Sequence, residues 1–406
     1  MISVAEAIAA ILERSPPLAA RRVPLADALG LILAEDVVAD IDLPPFDKAL
    51  MDGHAVRSAD LAATGEHRFR VVDEIIAGRT PARALAVGEA ARIMTGAPLP
   101  PGADAVVMIE RATILDDGAV LLPGPVSPGL NRLTRGREMR RGDILLHRGA
   151  RIDARKLGLI ASAGLAEVLV IPTPTVAVMP TGDELVPIGQ RPEGGQIRNS
   201  NGIMIAGLAR AWGSRRSEEK PIAPDDPELL RLALSEVLTD PGEADVLLIC
   251  GGVSAGTRDL VPPALVSLGV EPVFHKVAVK PGKPLWFGVG PSRGGQPGPL
   301  VFGLPGNPAS GLIGFLLFVR PALEALSGRR VALDPPPPRR LAVRFSHRGD
   351  RPTYHPARLE GDRIVPLEWA GSADLRTVAL ADGFAAFPAG DRDYQEGDAI
   401  PFLGAT

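Results

Sequence analysis

The stretch "GPLVFGLPGNPASGLIGFLLFVRPALEAL", Gly298 to Leu326, decides how the central part of the chain is read. It starts as a short apolar strand, turns through glycine and proline, and continues as a long apolar helix. A strand buried on both faces reads as an unbroken apolar run rather than an alternating one. "TVAVMPTG" (Thr175 to Gly182) and "ADVLLICGG" (Ala244 to Gly252) have the same form, each closing on glycine. Helical segments lie between them. "NSNGIMIAGLARAWG" has Asn199 or Ser200 as its cap, and "DDPELLRLALSEVL" carries Pro227 in its first turn. Such alternation predicts an α/β domain over residues 171–330 with a central doubly wound, mostly parallel sheet, whose ligands bind at the C-terminal ends of the strands.

Outward from this centre the texture changes. "LDPPPPRR" (Leu333 to Arg340) is a stiff proline linker, and the strand-like pieces beyond it predict a C-terminal β-barrel-like domain over 331–406. Residues 41–137 break into short β-rich pieces between Gly and Pro, a small β insertion domain. Residues 1–40 with 138–170 read as a helical or mixed linking domain. It starts with the amphipathic "MISVAEAIAAILER", has a second short helix near Pro24 to Leu31, and ends with "DARKLGLIASAG", capped by Asp153.

At 406 residues the chain exceeds one compact core, so several domains are expected. Lys+Arg 44 against Asp+Glu 48 leaves a net charge of -4, without the basic excess of a general nucleic-acid binder. Cys250 is the only cysteine, which excludes an internal disulfide and a cysteine metal cluster. Glu6 and Glu13 interrupt the first apolar segment, which lacks the form of a signal peptide, and runs such as Leu312 to Val319 are short for a bilayer. The expectation is a cytoplasmic protein with no membrane and no nucleic-acid partner.

Chemistry gathers in loops. In "MPTGDELV", Asp183 and Glu184 follow a buried strand; they suit a divalent cation shared with substrate phosphate, or the first turn of a helix. In "CGGVSAGTRDLV", Gly251 and Gly252 let backbone approach a ligand closely, with Ser254, Thr257 and Asp259 adding polar groups. It lacks the Gly-Lys-Ser/Thr ending of a nucleotide-binding P-loop. In "KVAVKPGKPLWFG", Lys276, Lys280 and Lys283 lie close together, and Pro281 and Pro284 stiffen the loop that presents the last two to an anion. "GLPGNPASG" offers Pro305, Gly306, Asn307 and Ser310 at a helix start. The six histidines show neither a triad pattern nor zinc spacing. In "FDKALMDGHAV" (Phe46 to Val56), Asp52 precedes Gly53, and local chemistry alone favours a turn.

These segments together resemble the molybdopterin molybdenumtransferase family, bacterial counterparts of the gephyrin E domain and the plant molybdenum-insertase E domain. The matches run in order: "PPFDKALMDGHAV", "RIMTGAPLPPGADAVV", "PTGDEL", "NSNG", "GGVSAGTRD", "KPGKP" and "GLPGNPAS". The resemblance implies a homodimer of four-domain subunits that takes adenylylated molybdopterin and molybdate, cleaves the nucleotide link with Mg²⁺ or another divalent cation, and leaves molybdenum on the dithiolene. It implies catalytic roles for Asp52, Asp183, Glu184, Asp259, Lys280 and Lys283, the four carboxylates being the metal ligands. Cofactor binding falls to Thr95, Gly251, Gly252, Ser254, Pro305, Gly306, Asn307, Ser310 and Ser372, and the Met-Asp-Gly loop serves the neighbouring subunit's cleft. Implied partners are a molybdopterin adenylyltransferase and the proteins that mature molybdoenzymes.

The chain departs from the family pattern at Ala49, His54, Asn199 and Ala373, has Glu138 in "GREM" as the nearest match to another acid, and has Pro356 where an arginine is expected. Molybdenum insertion is therefore weighed against a diverged paralogue that binds or delivers the cofactor without efficient turnover. A gephyrin-like scaffold would add a further domain and a long linker.

Overall fold

The computed structural model describes residues 1–240, 244–253, 259–295, 297–332 and 334–405. The chain forms two compact units, one of Val23–Leu29 with Glu35–Val168 and the other of Met1–Arg22, Gly30–Ala34 and Leu169–Thr406.

The first unit is built on a six-stranded sheet. Its order is Ala105–Met108, Gly53–Val56, Glu89–Ile93, Gly65–Ile75, Val120–Gly124 and Thr113–Ile114. Only the pairing of Gly65–Ile75 with Glu89–Ile93 is parallel. Strand alternation sends Val56, Ala90 and Val107 into one cluster with Phe69 and Leu122, and Ala55, Ala91 and Val106 into another with Ile75 and Ile93. The strands Ala105–Met108, Gly53–Val56 and Glu89–Ile93 are therefore mostly apolar where they are buried, with His54 and Glu89 as buried polar residues. Gly53 has a steric reason rather than a turn reason. It sits in a strand, and a Cβ there would lie 2.0 Å from the Val107 carbonyl oxygen. Asp153 accepts from the Lys156 N–H at 3.0 Å and starts the helix Ala154–Ser162, as its spacing predicts. The helix expected near Pro24 to Leu31 is only a single 3₁₀ turn, Leu25–Asp27, because Pro24 is extended and Gly30 adopts φ 82°.

In the second unit a six-stranded sheet runs in the order Arg216–Glu219, Thr175–Pro180, Val246–Cys250, Leu300–Leu304, Trp286–Val289 and Glu271–His275. The first four strands are parallel, and Trp286–Val289 runs against them, pairing antiparallel with both Leu300–Leu304 and Glu271–His275, so the sheet is mixed. The reason lies in the connections: residues 276–285 and 290–299 are shorter than the dozen or so residues a parallel crossover needs. One face of the sheet packs on Val4–Glu13, Ser200–Ala211 and the helical run Pro308–Leu326, through Ile11, Ile205, Phe315 and Phe318. The other face packs on Pro227–Thr239 and Val261–Ser267, through Leu234 and Leu265. Pro308–Leu326 is long and apolar enough to cross a membrane, yet 78% of its apolar window is buried inside the protein. It is the core helix of this sheet.

Arg293 is a buried cation with a visible task. Its guanidinium donates to the carbonyls of Leu238 (2.7 Å), Ala244 (2.9 Å) and Val237 (2.6 Å), closing the C-terminal end of Pro227–Thr239. Replacing Arg293 with Met leaves those acceptors without a donor, and should cost about 2–3 kcal/mol of stability in denaturant unfolding. An unchanged midpoint would show that water replaces the guanidinium.

The C-terminal part of this unit is a closed five-stranded barrel. Its order is Pro338–Leu341, Arg363–Pro366, Thr353–Glu360, Gly383–Phe387 and Ala399–Gly404, the last closing on the first. Leu341, Ala357, Ile364, Ala385 and Ile400 fill it.

Candidate functional site

Three parallel strands, Thr175–Pro180, Val246–Cys250 and Leu300–Leu304, deliver Thr181, Gly251 and Pro305 to one end of the second unit's sheet. A cleft of ≈ 620 Å³ opens there, lined by Glu184, Gly251, Gly252, Asp259, Pro305 and Gly306 among others. Its size suits a small-molecule ligand. Gly251 adopts φ 113°, and a Cβ on it would lie 2.6 Å from the Thr181 carbonyl oxygen. Gly252, at φ 64°, would bring a Cβ to 2.8 Å from Val261 Cγ2. Both glycines are required by the backbone they occupy. Thr181 Oγ1 and Asn201 Oδ1 are buried on this cleft's lining without a hydrogen-bond partner among the described residues. Asn201 Nδ2 donates to the Gly306 carbonyl at 2.6 Å, which ties the helix Ser200–Ala211 to the Pro305–Gly306 turn. Asn201 escapes sequence reading because it stands beside Asn199, whose capping role explains the segment by itself.

The two adjacent acids part company. Asp183 Oδ1 accepts from the Asp225 N–H at 3.0 Å, and Asp225 Oδ2 from the Asp183 N–H at 3.4 Å, so this pair clasps two loops. Glu184 instead lines the cleft, folded over Gly182, where a Cβ would meet its carboxylate at 2.4 Å. Among the described residues no three His, Cys, Asp or Glu side chains come together as a metal cluster, so Asp52, Asp183, Glu184 and Asp259 do not form one. The cleft carboxylates are Glu184 and Asp259. Two carboxylates with room for phosphate oxygens fit the way Mg²⁺ is commonly held. Cys250 also reaches this cleft, but burial, with Glu219's charge adding, pushes its thiol up to about 12. It stays a neutral packing residue. Ser254 and Thr257 lie outside the described residues.

A second cleft, of ≈ 640 Å³, shares Pro284, Pro305 and Asn307 with the first. Lys280, Lys283, Ser310 and Ser372 line it, and no Asp or Glu does among the described residues. The lysine loop is stitched to the barrel. Lys280 N–H donates to the Pro352 carbonyl at 2.9 Å, and Tyr354 N–H to the Lys280 carbonyl at 2.8 Å. Asn307 Nδ2 donates to Ser372 Oγ at 2.9 Å, so these two candidates hold each other. Lys276 is not on this lining; it takes a left-handed backbone (φ 75°) at the start of the loop.

In the first unit, Asp52 and Thr95 come together. Asp52 Oδ1 accepts from the Thr95 N–H and from its hydroxyl, each at 2.7 Å. These bonds, the backbone one foremost, hold the Asp52 carboxyl below its ordinary range. A depressed carboxylate contributes stability that is complete above its unfolded pKa and lost as pH falls through the folded one. Asp52→Ala should therefore melt below wild type at neutral pH, with the gap closing as pH falls below the ordinary carboxylate range. A gap that persists in acid would mean that Asp52 acts by packing rather than charge.

Family models match along the chain: "MoeA N-terminal region (domain I and II)" over residues 2–164, "Probable molybdopterin binding domain" over 177–325, and "MoeA C-terminal region (domain IV)" over 338–404. The molybdopterin molybdenumtransferases of Staphylococcus aureus strain Mu50 and Staphylococcus epidermidis strain RP62A are each 34% identical over 409 aligned residues, spanning 99% of this chain and 95% of theirs. The chain belongs to the MoeA family of molybdopterin molybdenumtransferases. A solved MoeA protein from Pyrococcus horikoshii superposes at TM-score 0.83 with 32% identity, covering 100% of this chain and 99% of that one. A second from that organism superposes at 0.76 with 26% identity, covering 98% of both.

Measured against the MoeA pattern, the departures have local causes. Ala49 and His54 are 1% and 3% exposed, both packed inside the first unit, and burial pushes the His54 imidazole toward its neutral form. Asn199 caps Ser200–Ala211 by accepting from the Gly202 N–H at 3.0 Å, while its Nδ2 donates to Glu219 Oε1 at 2.6 Å. An aspartate there would set carboxylate against carboxylate, so Glu219 explains the amide. Glu138 pairs with Lys48 at 3.2 Å. Ala373 lines the first cleft. Pro356 is buried in a barrel strand, beside His355, whose Nε2 bonds the Leu367 carbonyl at 2.8 Å.

Proposed function

We propose that this chain transfers molybdenum from molybdate to adenylylated molybdopterin with release of AMP, a step of molybdenum cofactor biosynthesis. The observation that carries the reading is the pair of clefts with a shared wall: one presents the carboxylates Glu184 and Asp259 beside a glycine turn, the other lysines with no carboxylate among the described residues. That division suits a substrate whose phosphates meet a cation at one end and whose reacting end meets an oxyanion at the other. Relatives called molybdopterin molybdenumtransferase, aligned over nearly the whole chain, support it.

In this reading Gly251 and Gly252 let backbone approach the adenylyl phosphates, and Thr181 and Asn201 offer polar atoms to the ligand. Lys280 and Lys283 hold the oxyanion's charge, with Ser310, Asn307 and Ser372 around it. Glu184 and Asp259 would hold Mg²⁺, which when bound offsets phosphate charge and activates the nucleotide link. Asp183 supports Glu184 by fixing the loop to Asp225. The protein works as a homodimer, supported by the exposed side chains of Phe46, Leu50 and Met51 flanking Asp52, an apolar surface suited to a second copy. Asp52 then serves the neighbouring copy.

Complementation of a host lacking its molybdenumtransferase tests the proposal. Restored molybdoenzyme activity is the expected result. No restoration, with binding of adenylylated molybdopterin retained, would instead support a binding or delivery role.

A further inference from the structure

Two nitrogen atoms on the second cleft's lining have no hydrogen-bond partner among the described residues: His347 Nε2 and Trp369 Nε1. His347 is only 4% exposed, and its ring is stacked on Phe387 at 5.7 Å and 17°, so packing fixes its orientation. Trp369 meets His355 edge-on at 5.5 Å, and His355 is itself satisfied by the Leu367 carbonyl. Buried polar atoms in folded proteins are nearly always paired, and the exceptions ask for a partner. Here the partner comes from the cleft, where Lys280, Lys283 and Arg348 supply positive charge and no described carboxylate is on the lining.

We infer that His347 and Trp369 bind the oxyanion that occupies this cleft, His347 Nε2 and Trp369 Nε1 donating to its oxygens beside the two lysines. This rests on the reading of the cleft given above and adds binding residues to it. A neutral imidazole has one donor; a protonated one has two. Burial, Lys280 and Arg348 favour neutral His347, while Asp391 and the Pro388 carbonyl favour its protonated form. His355 lies on the same wall, and Asp393 draws Arg348 aside at 2.5 Å. An anion in the cleft joins the Asp391 side of this balance. Binding therefore takes up a proton, and affinity rises as pH falls.

The experiment titrates the full-length protein with molybdate, a dianion throughout the range, at about pH 6 and about pH 8, by calorimetry and by tryptophan fluorescence. Wild type should bind several-fold tighter at the lower pH. His347→Phe keeps the ring stack and should bind about tenfold more weakly at the lower pH, with the pH dependence gone. His347→Gln keeps a donor that does not titrate, and should retain affinity but lose the pH dependence. Trp369→Phe should lose about tenfold at both pH values. Parallel titrations with inorganic phosphate and AMP separate a free oxyanion from a nucleotide phosphate as the occupant, and the same variants should respond to whichever binds. Lys283→Ala is the control. If it abolishes binding while His347→Phe and Trp369→Phe match wild type at both pH values, the inference fails and the cleft reading stands. If wild type binds none of the three ligands, both fail.

Discussion

Glu184→Gln is expected to lower molybdate-dependent release of AMP from adenylylated molybdopterin by about 10²–10³-fold, with folding intact. Glu184 is exposed on the first cleft, and among the described residues its carboxylate clasps no other loop, so losing its charge removes a cation ligand rather than a structural contact. The neighbouring variant sharpens the test. Asp183 uses its carboxylate as an acceptor for the Asp225 N–H, a task an amide oxygen also performs, so Asp183→Asn should lose no more than about tenfold. Raising the Mg²⁺ concentration should partly restore Glu184→Gln and leave Asp183→Asn unchanged. If the two variants lose activity equally, the division of labour between these acids is wrong.

Gly251→Ala is expected to destabilise the chain and to abolish activity by adding a single methyl group at the cleft. The new Cβ would stand 2.6 Å from one backbone oxygen and 2.9 Å from Thr181 Oγ1, at φ 113°, where side chains are strained. Backbone cannot yield as a flexible side chain does, so the turn has to open. We expect a loss of about 3 kcal/mol or more in stability, and activity below detection. Gly195→Ala is the matched control, since a Cβ there meets nothing within 4 Å and its φ is ordinary. Wild-type activity in Gly251→Ala would show that the glycine turn does not shape the cleft.

The parallel core of the second unit was legible because its strands are buried on both faces and therefore apolar throughout. Helix starts at Asp153 and Asn199 were legible because capping is local, and the one at Pro227 because proline suits a first turn. The reversed strand Trp286–Val289 was not, since strand direction depends on connection length rather than on apolar pattern. Asp183 and Glu184 look alike in sequence; the distinction is made by Asp225, in a separate loop. Gly53 reads as a turn glycine beside Asp52, whereas the Val107 carbonyl makes it obligatory. His347 and His355 looked scattered because only the fold brings a two-stranded sheet holding His347 and a barrel strand holding His355 to one cleft. Gly53 and Asp183 each depend on a partner far along the chain.

The most direct measurement uses purified full-length protein, adenylylated molybdopterin, Mg²⁺ and molybdate. AMP release and molybdenum bound to the pterin are followed together. The account predicts that AMP appears in step with molybdenum incorporation and only when molybdate is present. Binding of the adenylylated pterin with no AMP release at any molybdate concentration would contradict it.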